Sequence, residues 1–186
     1  MARLRFELAR NVFEAFPIAE HELGVEPSDE PSLDFLSSLA GNGELDRAVG
    51  FCAFLLPRRE AVWWGCRSVR KFIQKPTLDE REGFKVAEEW VRQPEEDRRL
   101  TALELGMRCS SKLATTHLAL AAGWSGRTFS IGAGDPIPIQ LHQTARAVRS
   151  AILIAACHAS FAEKPDLMRS CLEDGVKIVS DETIKP

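Results

Sequence analysis

Pro57-Arg58-Arg59-Glu60-Ala61-Val62-Trp63-Trp64-Gly65-Cys66-Arg67-Ser68-Val69-Arg70-Lys71-Phe72-Ile73 is the stretch on which the reading of this chain turns. Pro57 stands just outside a helix start. At about 100° per residue, Val62, Cys66, Val69 and Ile73 fall into one apolar stripe. Ala61, Gly65 and Phe72 widen the stripe on one side. Trp63 flanks it on the other, next to Arg59, Arg67 and Arg70, and Trp64 falls roughly opposite, among Glu60, Arg67 and Lys71. A helix with aromatic surface on more than one side is either central and packed from both directions, or it presents a tryptophan to a partner.

Helical punctuation continues on both sides of this stretch. Upstream, Leu45, Val49, Cys52, Ala53 and Leu56 mark the apolar face of a helix over 44–56, joined closely to the next at Pro57. Downstream, Thr77 followed by Glu80 is a capping box for a helix to about Arg92, with Phe84, Ala87, Trp90 and Val91 inward. Pro94 breaks that helix and suits the first position of another. Glu95, Glu96 and Asp97 favour its positive end, and Leu100, Leu103, Leu105 and Met107 carry it to about Arg108. Ser110-Ser111 punctuates, and Lys112 to Ala122 is a short alanine-rich helix closed by Gly123. Trp124 to Pro138 is the longest loop, with Trp124, Phe129 and Ile131 as apolar anchors. Gln140 to Phe161 reads as a long helix, and Asp166 to Val179 as the last.

The first 43 residues read differently. Leu4, Phe6 and Leu8 alternate as in a strand, but Leu8, Val12, Phe13 and Phe16 favour a helix over about 7–15. Pro17 to Pro31 is acidic and turn-rich, a linker or extended arm. Ser32 is placed to cap a short helix from Leu33 to Ala40, with Gly41 and Gly43 as stops. The expectation is an all-α fold, either an irregular helical bundle or a degenerate helical-repeat stack of about eight to nine helices. It comprises an acidic N-terminal segment or arm over 1–43 and an all-α domain over 44–186.

A chain of 186 residues with 45% hydrophobic and 27% charged side chains can bury a sizeable core. The net charge of −3 gives no case for nucleic acid. Charge is uneven, however: residues 1–57 hold 4 basic and 10 acidic side chains, and the remainder is net positive. That asymmetry either steers a partner or pairs the N-terminal segment with the basic body. Five widely spaced cysteines, Cys52, Cys66, Cys109, Cys157 and Cys171, make neither a disulfide framework nor a zinc motif. Glu7 interrupts the apolar run a signal peptide needs, and no apolar stretch approaches the roughly 20 residues of a membrane span. A soluble cytoplasmic protein with no membrane partner is expected.

Catalytic chemistry is hard to place. His21, His117, His142 and His158 are not spaced as metal ligands. Cys109 has only Arg108 and Lys112 nearby to activate it and no identifiable base. Gly132-Ala133-Gly134-Asp135 lacks the preceding strand and the Gly-Lys-Ser/Thr of a phosphate loop. Glu88-Glu89 and Glu95-Glu96-Asp97 read as solubilising charges on helix surfaces and starts. No catalytic residue, cofactor or metal site is assigned. The features above background are tryptophan and arginine, the residues from which interface hot spots and cation–π stacks are made. The candidate partner-binding residues are Arg59, Trp63, Trp64, Arg67, Arg70 and Trp124.

Three segments carry a resemblance: Leu56-Pro57-Arg58-Arg59-Glu60-Ala61-Val62-Trp63-Trp64-Gly65-Cys66, Ala87-Glu88-Glu89-Trp90-Val91-Arg92-Gln93-Pro94, and Ala122-Gly123-Trp124-Ser125-Gly126. Together they resemble a family of uncharacterised, all-helical bacterial proteins found beside type VI secretion effector genes, over roughly residues 44–180. The resemblance implies an accessory role, and no catalytic residues carry over from it. It leaves the first 40 residues unaccounted for. The reading is therefore a non-enzymatic interaction protein, an adaptor or chaperone for a secretion effector or spike component. It would act by burying partner surface against the Trp63-Trp64 helix and the 124–138 loop. The alternatives are an immunity protein that blocks a toxin, which the acidic first 57 residues would suit, and an enzyme whose site is assembled from remote residues. Self-association into a homo-oligomer is compatible with each.

Overall fold

The computed structural model describes residues 5–130 and 134–180. Among these the chain forms ten α-helices and one two-stranded hairpin. The helices are α1 (Ala9–Ala15), α2 (Ile18–Leu23), α3 (Ser32–Gly41), α4 (Leu45–Leu55), α5 (Arg58–Phe72), α6 (Leu78–Arg92), α7 (Glu96–Arg108) and α8 (Ala114–Gly123). The hairpin strands β1 (Thr128–Phe129) and β2 (Ile137–Pro138) follow, then α9 (Gln143–Ala156) and α10 (Lys164–Ser180). The all-α class stands. Its form is a bundle: α5 packs against α6, α8, α9 and α10, and α10 returns to cover both α4 and α5. A repeat stack, in which each unit touches only its sequence neighbours, would not close in this way.

The stretch from Pro17 to Pro31 is not simply an arm. Its first part folds as α2, which ends at Gly24 in the left-handed region with φ of 61°. Residues 5–8 run beside 28–32, where the Ala9 N–H donates to Glu30 O at 2.9 Å and the Ser32 N–H to Glu7 O at 2.9 Å. This is why Phe6 and Leu8 alternate and why the first helix begins only at Ala9. Ser32 lies inside α3 rather than capping it, and its hydroxyl donates to Phe6 O at 2.8 Å. Pro94 likewise stands outside α7, which starts at Glu96.

One apolar cluster runs from Ala9 to Ile178 and includes Val12, Phe13, Phe16, Leu23 and Leu36 of the N-terminal segment. Phe13 packs against Phe51 at 5.8 Å between ring centroids, and Phe16 against Phe54 at 5.4 Å. The acidic segment is thus seated on α4 of its own chain. Glu22 joins it to α9 through a 2.6 Å ion pair with Arg146. The capping box expected at Thr77 forms, with the Thr77 N–H donating to Glu80 Oε2 at 2.7 Å. The Gly132-Ala133-Gly134-Asp135 turn and the anchor Ile131 fall largely outside the described residues.

Candidate functional site

The structure separates the six candidate residues. Trp64 is fully buried, and its indole N–H donates to Cys171 O on α10 at 2.8 Å. It cannot be a partner-binding residue in this fold, which corrects the expectation for that position. The polar residues around it explain the ambiguity. Lys71 reaches Asp174 of α10 at 2.8 Å and Arg67 approaches the same carboxylate at 3.8 Å, so the charged residues next to Trp64 border another helix while Arg67 itself stays exposed. Gly175 permits this close approach: a Cβ there would lie 2.5 Å from the Cys52 sulfur.

Arg59 is also committed internally. Its Nε donates to Val91 O at 2.7 Å and its Nη2 to Arg92 O at 3.4 Å, closing the C-terminal end of α6. Arg70 lies 4.2 Å from the Phe84 ring centroid and donates to Glu88 at 2.8 Å. Trp63 is half-buried and carries the Arg67 guanidinium at 5.4 Å from its ring centroid, the cation–π contact the spacing suggests. Trp124 is half-buried at the end of α8.

The loop after α8 is held by two arginines that the sequence does not single out. Arg58 donates to Ser125 O at 2.6 Å. Arg99 is buried and donates to Gly123 O at 2.5 Å and Thr128 O at 3.0 Å, while Glu96 accepts from its Nε at 2.8 Å. Those hydrogen bonds hold the Glu96 carboxyl below its ordinary pKa. A Cβ on Gly126 would sit 2.7 Å from the Arg99 guanidinium, so a side chain there would push Arg99 off its carbonyl partners. Arg99 looks like an ordinary surface partner of Glu96 at i, i+3, and nothing in its spacing announces a buried anchor.

The three segments that carry the family resemblance therefore bind one another. The first reaches the second through Arg59 and Val91, and the third through Arg58 and Ser125.

Surface is offered elsewhere. Leu100, Leu103 and Met107 share one face of α7, and the hairpin sets Phe129 opposite Ile137 beside it. Leu103 is buried, but Leu100, Met107 and Ile137 are 41%, 55% and 42% exposed. Leu100, Met107 and Phe129 line a groove of about 470 Å³, with Glu104 and Arg108 also on its walls. Of the four apolar residues that carry this helix in sequence, Leu103 and Leu105 are buried, while Leu100 and Met107 stay exposed.

Among the described residues there is no group of three His, Cys, Asp or Glu side chains that can hold a metal ion. Burial pushes the Cys52 and Cys66 thiols well above the ordinary range and raises that of Cys171, away from thiolate chemistry. No described helix is long and apolar enough to cross a membrane. The chain belongs to a family of unknown function, DUF6931, whose model matches residues 35–179. No curated protein and no solved structure matches the chain.

Proposed function

We propose that this is a non-enzymatic interaction protein, an adaptor or chaperone that binds a bacterial secretion effector or spike component. The observation that carries this reading is the groove between α7 and the hairpin, where Leu100 and Met107 remain exposed beside a half-buried Phe129. An apolar centre with charged side chains at its edge, here Glu104 and Arg108, has the make-up of a protein-binding patch. Binding there removes apolar surface of both partners from water, which is the main favourable term in most protein association. The secretion setting, type VI-like, comes from the resemblance of the three motifs and from nothing else.

A photo-crosslinking side chain at Met107, expressed in the native bacterium, tests this. Crosslinks to a secretion effector or spike protein are expected from position 107. They are not expected from Leu78, an exposed leucine at the start of α6 that does not line the groove. The paired change Leu100→Ser and Met107→Ser should abolish co-purification of that partner while the protein stays folded. Equal crosslinking from both positions, or unaltered co-purification, counts against the groove. Rescue of cells from one particular toxin would assign the immunity role instead.

A further inference from the structure

A separate cleft of about 350 Å³ lies where the end of α1, the start of α5 and the start of α9 meet. Its walls include Phe16, Phe54 and Leu141, and it also holds Arg5 and Arg58. Among the described residues neither arginine forms an ion pair. Arg58 spends one Nη on the carbonyls of Ser125 and Gly126, at 2.6 and 3.4 Å. Arg5 has only a long 3.5 Å contact to Leu56 O, and its guanidinium lies 4.8 and 5.5 Å from the ring centroids of Phe6 and Phe16. Each guanidinium has five N–H donors, so most remain unspent. Thr144 lines the same cleft with a hydroxyl that is buried and has no hydrogen-bond partner. Pro57, Arg58 and Ala61 bring the first turn of α5 to the cleft, and with it the positive end of the helix dipole; the Ala61 N–H is already spent on Pro57 O at 2.8 Å. Glu60, the acid of that turn, does not line it.

Two like charges held in one apolar-walled cleft are unfavourable without a counter-charge. Burial lowers the pKa of Arg5, and the neighbouring Arg58 lowers it further; burial lowers that of Arg58. A bound anion relieves both costs, and Arg is the side chain best shaped to hold a carboxylate or phosphate through paired N–H donors.

We infer that this cleft binds a small organic anion, a carboxylate or phosphate monoester carrying a short apolar body. The head group meets Arg5, Arg58 and the start of α5, and the body lies against Phe16, Phe54 and Leu141. The volume is at the lower end of small-molecule sites, roughly 300–1,000 Å³, which suits a compact ligand. The inference stands independently of the groove at α7.

Calorimetric titration of the full chain tests it, with octanoate and octyl phosphate as probes and with 1-octanol, acetate and inorganic phosphate as comparisons. Saturable one-site binding of at least one octyl anion is expected, weaker at raised salt, and the tighter of the two identifies the head group. Arg5→Gln should weaken that binding at least about tenfold with only a small change in melting temperature, since the internal contacts of Arg5 are one long hydrogen bond and two ring contacts. Arg58→Gln should weaken it as much, but it also releases the Ser125 carbonyl, so Arg5→Gln decides. Four results overturn the inference: no saturable binding, 1-octanol bound as tightly as the anions, the bare ions bound as tightly as their octyl forms, or wild-type affinity in Arg5→Gln.

Discussion

The start of α5 and the outer face of α7 are both helix surfaces, yet they use side chains in opposite ways. The α5 segment holds adjacent tryptophans and several arginines, the composition of an interface hot spot, and spends most of them on contacts within its own chain. Trp64 bonds to α10, Arg59 to the end of α6 and Arg58 to the loop after α8. The α7 face carries plain aliphatic side chains and leaves Leu100 and Met107 in water. Arginine makes this exchange possible because one guanidinium can satisfy several backbone carbonyls at a helix end. It replaces a capping motif with a long-range tie. Residue type alone therefore misleads here: the showy residues build the fold, and the ordinary ones face outward.

Three substitutions sharpen that contrast, in order of expected effect. Trp64→Ala should be the most damaging, since it empties a fully buried site and removes the indole bond to Cys171 O that ties α5 to α10; a loss of about 3–5 kcal/mol is expected by chemical denaturation. A loss below about 1 kcal/mol would mean that α10 does not cover α5 as described. Arg99→Gln should cost about 2–3 kcal/mol, because Gly123 O and Thr128 O lose their donor. It should also release the hairpin, which amide hydrogen exchange over residues 124–130 would read. Arg67→Gln should change stability by less than about 1 kcal/mol, its partners being an exposed-side ring contact and a loose 3.8 Å ion pair. If Arg67 instead matters as much as Arg99, the division between internal ties and exposed charge at α5 fails.

Much of the fold is legible in the sequence because its signals are local. Thr77 and Glu80 announce α6 three residues apart, and Pro57 separates α4 from α5. The missed α2 is six residues long, between Pro17 and Gly24, too short to show a periodic face. The candidate interaction surface is poorly legible for a different reason. Leu100, Leu103 and Met107 form one apolar face by spacing, and that pattern is the same whether a neighbouring element covers the face or stops short. Arg5 and Arg58 are 53 positions apart, and no short-range pattern brings them to one cleft.

The sequence by itself determined the helical class, the main breaks and the apolar faces, because helix formation and termination depend on residues within a turn or two of one another. Only the tertiary structure decided which of those faces stay wet. It buried Trp64 under α10, turned Arg58, Arg59 and Arg99 inward, and left Leu100 and Met107 uncovered. Burial is set by which distant segments meet, and that depends on the packing of the whole chain.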